Sequence, residues 1–226
     1  QGYSKVVCMD ITQEVQIETN LSKLSLTDFV EILSSKAPAP GGGGAAALTA
    51  AQGCALSAMV CNLTIGKKKY AEFEEDLKRI LDSSVSLQRR FLDMIEEDKI
   101  NFTPLAKAYG LPANTDEEKI QKAKVMEDAL KEACKVPVEI VERSYEGIKL
   151  HLELMDKGSK LAISDVGVGV EFLRAALISG KMNVLINTGM MKDENYSLEL
   201  ENRVSELVKE GISIADSISE KVMNML

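Results

Sequence analysis

The chain has 226 residues, of which 45% are hydrophobic and none is tryptophan, and its formal net charge is −8. This length supports a substantial core and is most simply one domain. The negative charge disfavours nucleic acid and anionic membrane surfaces as partners. No apolar run spans a membrane without polar interruption, and no signal-peptide pattern opens the chain, so a cytoplasmic protein is expected.

The first quarter of the chain predicts an arm followed by two helices. Residues 1–23 alternate only weakly and are expected to be an N-terminal arm, extended or disordered, or partly a remnant of cloning. A helix is predicted from Ser25 to Lys36, with Pro38 ending it. An apolar helix then follows a run of glycines and ends near Ile65. Its length and its polar interruptions favour a buried helix over a membrane span.

Two long helices are predicted next. An apolar stripe in steps of three and four runs from Phe73 to Phe102, and this helix ends at Gly110. The following helix opens at Thr115 and closes at Gly158, with a proline inside it that is expected to bend it.

The last part of the chain predicts two more helices, from about Ser164 to Asn187 and from about Asp193 to Leu226. No strand-like run separated by turn residues occurs. We therefore expect an all-α bundle of about six helices, several of them long, forming one domain over residues 24–226. The segment from Ala45 to Val60 is apolar on more than one face, which predicts a homodimer.

The four cysteines and the single histidine match no common metal motif, so no metal site is expected. Cys54 and Cys61 share one helical face and are expected to be small core residues. His151 is expected to be a surface or packed helical residue.

A run of four glycines, Gly41 to Gly44, follows Pro40 at the start of the apolar helix. Each glycine weakens a helix by roughly 1 kcal/mol relative to alanine, so the run needs a reason. One reason is the close approach of a ligand or backbone. Another is an anion or polar ring bound by free helical N–H groups. The alternative is a flexible connector between two helices.

Asp98 interrupts an otherwise apolar stripe and is the strongest candidate for a catalytic residue. A buried carboxylate must be paired, protonated or placed against a solvent-lined pocket. The alternative is a structural role, in which Asp98 pairs with a basic residue or caps a backbone group. Glu127 interrupts its own stripe but is a weaker candidate, for which a structural pair or an edge position is favoured.

Three polar residues share one face of the fifth predicted helix, namely Asp165, Asn183 and Asn187, among small residues that allow close approach. A flat ligand or another helix could lie there. The alternatives are a first-turn acid for Asp165 and interhelical hydrogen bonds for the two asparagines. The basic run Lys67 to Lys69 is either a solvated helix end or an anchor for an anion.

Four blocks of the sequence resemble one known family. The segment from Pro38 to Leu48 resembles the Pro-Gly-Gly-Gly-Ser signature of the formiminotetrahydrofolate cyclodeaminase and methenyltetrahydrofolate cyclohydrolase family. Gly44 stands where that family usually has serine, which puts a hydroxyl contact from this position in doubt. The remaining three blocks, in the family's order, are Met59–Tyr70, Asp98–Phe102 with Leu111–Pro112, and the C-terminal motifs Ser164–Asp165 and Asn183–Asn187.

The resemblance implies a folate one-carbon enzyme that hydrolyses 5,10-methenyltetrahydrofolate to 10-formyltetrahydrofolate. The alternative within the family is a formiminotetrahydrofolate cyclodeaminase that releases ammonia, and the alternative of another class is a non-catalytic folate-binding or interaction protein. The resemblance also implies a homodimer and no cofactor beyond the tetrahydrofolate substrate. It points to Asp98 and Asp165 as catalytic residues. The substrate-binding residues that it implies are Pro40, Gly41, Gly42, Gly43, Gly44, Thr64, Lys67, Lys68, Asn183 and Asn187.

Overall fold

The computed structural model describes residues 20–226, and within this range it contains six α helices and no β strand. The predicted all-α bundle is confirmed, while residues 1–19 of the predicted arm lie outside the described range. The helices are α1 (Leu26–Leu33), α2 (Gly42–Thr64), α3 (Glu74–Tyr109), α4 (Asp116–Lys157), α5 (Ile163–Thr188) and α6 (Glu194–Met223). Short 3-10 turns occur at Leu21–Lys23, Lys68–Phe73 and Lys160–Ala162.

Local chemistry fixes most helix ends where the sequence predicts them. Ser25 caps α1, and Thr115 forms a reciprocal capping box with Glu118 at the start of α4. Helix α1 ends three residues earlier than predicted, at Leu33 and not at Lys36. The hydroxyls of Ser34 and Ser35 donate to carbonyls of the last turn, which competes with continued helix formation.

The chain joins the bundle at Leu21, slightly before the predicted start of the domain. The Leu21 side chain is buried, and its backbone N–H donates to Glu96 Oε2 at 2.7 Å. Glu96 belongs to α3, so this hydrogen bond attaches the segment around Leu21 to the helix that carries Asp98.

Helix α2 is the central element of the bundle and packs against α3, α4 and α5. It contains no charged residue, and by length and composition alone it could cross a membrane, but most of its apolar window is buried in the bundle. Glycine, alanine and other small residues allow three helices to approach it closely. Its apolar character is therefore accounted for mainly by burial in a helical core.

One leucine fits into a hollow formed by glycines of two neighbouring helices. Leu173 of α5 lies over Gly53 of α2 and Gly147 of α4. A Cβ atom at Gly53 would lie 2.8 Å from both Leu173 Cγ and the carbonyl oxygen of Gly169, and one at Gly147 would lie 3.0 Å from Leu173 Cδ1. This interlock sets the spacing of α2, α4 and α5.

His151 is completely buried in α4, which resolves the prediction in favour of a packed residue. Its Nδ1 lies 2.9 Å from the carbonyl oxygen of Gly147, and its Nε2 faces Gly169 without a hydrogen-bond partner among the described residues. Burial lowers the pKa of His151 to about 4, so the ring is neutral at pH 7.

Candidate active site

A cleft opens where the first turn of α2 meets the middle of α3 and α4 and the last turns of α5. Its volume is about 150 Å³. The lining residues are Pro38, Ala39, Gly41, Gly42, Gly43, Asp98, Phe102, Ala133, Pro137, Asn183, Ile186 and Asn187. The cleft therefore combines one carboxylate and two amides with apolar walls and a glycine-rich edge.

Larger grooves on the surface are less suited to catalysis. A groove of about 780 Å³ runs between α3 and α4, but its charged side chains largely neutralise one another. Arg90 binds Glu97 and Glu139, and Arg143 binds Glu139 and Glu146. These paired charges suggest that the groove is a solvated seam between helices.

The glycine run begins α2 because the Asp98 side chain occupies the space that a side chain would need. A Cβ atom at Gly43 would lie well inside van der Waals contact with the Asp98 carboxylate. The backbone N–H of Gly44 donates to Asp98 Oδ2 at 3.0 Å. The first turn of α2 thus forms the wall against which the carboxylate rests.

Burial dominates the electrostatics of Asp98. It raises the pKa of the Asp98 carboxyl to about 6, while the Gly44 N–H lowers it. No lysine or arginine among residues 20–226 forms an ion pair with Asp98. Of the two structural roles considered for Asp98, residues 20–226 provide the backbone cap and not the ion pair, and the capping carboxylate also lines the cleft.

The two asparagines of α5 reach the same cleft from the opposite side. Asn183 Nδ2 donates to the carbonyl oxygen of Ser179 at 2.8 Å, and its Oδ1 faces Gly42. Asn187 is 7% exposed, and its Nδ2 lies 3.4 Å from the carbonyl oxygen of Ala133 on α4. The interhelical hydrogen bond considered from the sequence occurs at Asn187, whereas Asn183 bonds within its own helix.

Pro40 and Gly44 shape the loop and do not line the cleft. Pro40 is buried and follows a cis peptide bond with Ala39. A Cβ atom at Gly44 would lie 3.3 Å from Pro40 Cβ and 3.9 Å from Ile95 Cγ2. The Cβ atom of a serine at position 44 would therefore lie between Pro40 and Ile95. Because residue 44 does not line the cleft, a glycine in place of serine does not alter the cleft wall.

The other site residues expected from the sequence lie at the opposite end of the helical bundle. Thr64 ends α2, about 33 Å along the helix from Gly42. Its buried hydroxyl donates to the Val60 carbonyl at 2.6 Å and accepts the Ser159 N–H at 2.9 Å, which is a structural role. Lys67 and Lys68 follow it and are exposed.

Asp165 also lies at that far end. It is in the first turn of α5, as the structural alternative expected, and about 27 Å along the helix from Asn183. Within one chain, the structure therefore brings together Asp98, the glycine run and both asparagines, but not Asp165, Thr64, Lys67 or Lys68.

Six apolar residues of the cleft wall are not among the site residues predicted from the sequence, namely Pro38, Ala39, Phe102, Ala133, Pro137 and Ile186. Phe102 follows Asp98 by one helical turn on the same stripe, so the spacing contained the signal that it faces the cleft. Ala133 and Pro137 belong to α4, and only the packing of α4 against α5 brings them to the cleft. No group of three or more His, Cys, Asp or Glu side chains among residues 20–226 is arranged to hold a metal ion.

Comparisons with known proteins agree with this architecture. A sequence model of a family described as formiminotransferase-cyclodeaminase matches residues 25–206. A methenyltetrahydrofolate cyclohydrolase from Methylorubrum extorquens is 42% identical over 198 residues, covering 88% of this chain and 95% of that protein. Formimidoyltransferase-cyclodeaminase from Mus musculus is 29% identical over 85% of this chain, which spans only 36% of the mouse protein.

A solved structure gives the same result at the level of the fold. The crystal structure of formiminotetrahydrofolate cyclodeaminase from Thermotoga maritima matches with a TM-score of 0.75 and 27% identity, covering 91% of this chain and 97% of that one. The family match covers most of the bundle and includes every residue that lines the cleft. The chain therefore belongs to the formiminotransferase-cyclodeaminase family.

Proposed function

We propose that this protein hydrolyses 5,10-methenyltetrahydrofolate to 10-formyltetrahydrofolate in the cleft that contains Asp98. The observation that carries the proposal is a largely buried carboxylate that lines a cavity and has no cationic partner in residues 20–226. The methenyl substrate carries a positive charge on the carbon that reacts. The relative from Methylorubrum extorquens, with which the chain shares 42% identity, is named for this reaction.

The chemistry needs one group that stabilises a cation and accepts a proton. Water adds to the methenyl carbon between N5 and N10, and its proton passes to the Asp98 carboxylate. The bond from carbon to N5 then breaks, N5 takes the proton held by Asp98, and the hydroxyl on the carbon loses its remaining proton to solvent as the C=O of the N10-formyl group forms. The net products are 10-formyltetrahydrofolate and one proton. A carboxylate with a pKa of about 6 is well matched to proton transfer near neutral pH.

The remaining residues of the cleft orient the substrate. Asn183 Oδ1 and the Asn187 amide supply hydrogen-bonding groups for the ring or the attacking water, and the glycines let a flat ring lie against backbone. Phe102 and Pro137 provide apolar surface for the faces of the ring. We propose no cofactor beyond the tetrahydrofolate substrate.

The second candidate is the cyclodeaminase reaction, in which 5-formiminotetrahydrofolate cyclises and releases ammonia. It passes through a tetrahedral carbon of the same kind, and the similar Thermotoga maritima structure is named for it. The third, of another class, is a non-catalytic protein that binds folate. Steady-state assays separate the three. Loss of methenyl absorbance supports hydrolysis, its appearance from the formimino substrate supports deamination, and neither change with measurable folate binding supports the binding protein.

The proposed homodimer rests on an uncharged surface formed by α2 and α5, which pack side by side. Their outward stripes carry exposed and half-buried apolar or uncharged side chains over the full length of α2. We call this surface the α2/α5 face; its residues are Leu48, Gln52, Leu56, Met59 and Leu63 of α2 and Val168, Phe172, Ala175, Met182 and Ile186 of α5. Depletion of charge over a contiguous apolar area is typical of the centre of a protein interface.

We propose that the two copies pack with their α2 helices antiparallel. A parallel arrangement would place the Lys67 to Lys69 runs of both copies side by side, and their charges would repel. The antiparallel arrangement separates them by the length of a helix. It also moves Lys67, Lys68 and Asp165 of one copy toward the cleft of the other, where the lysines would meet the carboxylates of the folate tail. The cleft of one chain, at about 150 Å³, is smaller than a typical ligand site.

Mixing two defective variants tests this arrangement. Asp98→Asn and the triple variant Lys67→Gln, Lys68→Gln, Lys69→Gln are assayed alone and after co-refolding, at low polyglutamated substrate. In a mixed dimer one cleft keeps both Asp98 and the lysines, so random pairing should restore about a quarter of the wild-type activity. The sum of the separate activities, with no gain on mixing, would contradict a shared site.

The cellular setting is proposed on charge alone. A net charge of −8 supports a cytoplasmic enzyme whose partners are its small-molecule substrate and a second copy, and not nucleic acid or a membrane. Light scattering with and without nucleic acid or anionic vesicles tests this, because any stable association would contradict it.

A further inference from the structure

The turn between α5 and α6 is held by Glu127, the acid that interrupts the apolar stripe of α4. Glu127 Oε2 accepts the backbone N–H of Lys192 at 2.8 Å, and Oε1 accepts that of Asp193 at 3.2 Å. The Glu127 side chain is 19% exposed. One carboxylate therefore binds two successive N–H groups of a segment 65 residues further along the chain.

Lys131, one turn after Glu127, completes the attachment. Its Nζ lies 2.6 Å from Asp193 Oδ2 and 3.9 Å from Glu127 Oε1, and 4.8 Å from the centre of the Tyr196 ring. Asp193 in turn caps α6 by accepting the N–H of Tyr196 at 3.1 Å. We call Glu127, Lys131 and Asp193 the turn clamp.

Starting α6 does not require Glu127, because Asp193 already provides the N-terminal cap of that helix. What Glu127 fixes is the position of the Lys192 and Asp193 backbone relative to α4. An acid in this stripe is otherwise a poor choice for a helix that packs in a bundle. The clamp therefore sets where the end of α5 lies.

The end of α5 carries a wall of the cleft. Asn187 precedes the last residue of α5 and also touches α4 through Ala133. Met191, in the clamped turn, packs in the same small apolar cluster as Phe102. Both Asn187 and Phe102 line the cleft, so a shift of the turn would move a polar and an apolar wall together.

We propose that Glu127 is a positioning residue for the folate reaction, acting through Asn187 and Phe102 without touching substrate. The expected effect on substrate binding rests on the proposed function, whereas the expected shift of Asn187 and Phe102 rests on the geometry of the turn clamp alone. Its loss should weaken substrate binding more than turnover, because Asp98 and its wall on α2 are not part of the clamp.

The test compares Glu127→Gln and Glu127→Ala with the matched control Glu132→Ala. Glu132 lies on the same helix and forms a local surface pair with Lys135. In Glu127→Gln one N–H of the turn faces an amide NH₂ in place of an oxygen. We expect KM for methenyltetrahydrofolate to rise about five- to tenfold, with kcat changed by less than about twofold and an unchanged pH profile. Glu132→Ala should match wild type.

Two readouts without substrate keep this test independent of the proposed reaction. Amide exchange at residues 188–193 should accelerate, and the NMR signals of the Asn187 side-chain amide should shift, in the Glu127 variants only. Accelerated exchange with an unmoved Asn187 signal and an unchanged KM would overturn the inference, as would a lower Tm with normal kinetics. If Glu127→Ala does not fold, Lys131→Met provides the same comparison. Wild-type protein that turns over neither folate contradicts the proposed reaction, and the Asn187 signal still decides the role of Glu127.

Discussion

Asp98 Oδ2 accepts the backbone N–H of Gly44 at 3.0 Å, which connects the middle of α3 to the first turn of α2 across 54 residues of sequence. The contact requires that Gly43, the preceding residue, has no side chain. The glycine run and the candidate catalytic carboxylate are therefore one structural unit, and each can be tested through the other.

Gly43→Ala should inactivate the enzyme without unfolding it. The added Cβ would collide with the carboxylate of Asp98, which would have to turn away from the position that it holds in the cleft. We expect kcat/KM to fall about a hundredfold, in line with the cost of misplacing a reacting group by about 1 Å. The control is Gly110→Ala at the end of α3, where the nearest atom to a new Cβ is 3.6 Å away. Normal kinetics in Gly43→Ala would show that the position of Asp98 is not critical.

Asp98→Asn should lower kcat by about two to four orders of magnitude, the range expected for loss of a positioned acid or base. The amide oxygen can still accept the Gly44 N–H, and no buried charge remains, so Tm should stay the same or rise. The matched control is Asp93→Asn, an exposed position on the same helix. If turnover is normal and Tm falls, Asp98 is a structural cap and not the catalytic group.

Stability between pH 4 and pH 6.5 should depend on two opposing groups. The pKa of Asp98 is raised from 3.8 to about 6, so the folded state binds its proton more tightly and this contribution to stability is lost as pH rises through that range. The pKa of His151 is lowered from 6.5 to about 4, so its contribution is lost as pH falls.

Urea unfolding at pH 4.5 and pH 7 measures both contributions. Asp98→Asn should lose more stability on acidification than wild type, because only the His151 effect remains. His151→Leu should lose less, because leucine binds no proton and the loss of stability caused by protonation of His151 in the unfolded state is removed. The same pH dependence in all three proteins would mean that neither group titrates as its burial indicates.

Charges introduced on the α2/α5 face should dissociate the proposed dimer. Met59 and Met182 are 38% and 64% exposed in the single chain, so Met59→Glu and Met182→Glu should fold yet leave a charge unpaired in the interface. We expect monomers by light scattering at micromolar concentration and a loss of activity. Ile120→Glu, at a side chain 72% exposed on α4, should remain dimeric. A wild-type monomer that is fully active would contradict the dimer itself.

The order and ends of the six helices followed from the sequence because helical periodicity and caps are local properties. Thr115 and Asp193 cap the helices that they were expected to open. Two helices end three residues earlier than predicted. Helix α6 ends at Met223 and not at Leu226, and α1 ends at Leu33, where two serines compete for its last carbonyls.

The candidate site was predictable only in part. An acid in an apolar stripe is visible in the sequence, which is how Asp98 was found. A shared face predicts the direction in which residues point, but it says nothing about their separation along the axis. Asp165 and Asn183 share a face of α5 yet lie about 27 Å apart along its axis. The partner of Glu127 is the backbone of the turn before α6, a contact between distant parts of the chain that the sequence does not reveal.

Gly147 and Gly53 both line the hollow that holds Leu173, but the loss of each glycine would need a different compensating change. At Gly147 the atoms nearest to an added methyl group belong to the side chains of Leu173 and Cys54, so a smaller residue at position 173 could rescue it. At Gly53 the same methyl group would also meet the backbone oxygen of Gly169, which no side-chain change removes. A larger residue at position 147 is therefore compatible with the fold if residue 173 becomes smaller at the same time, whereas position 53 requires glycine whatever residue stands at 173.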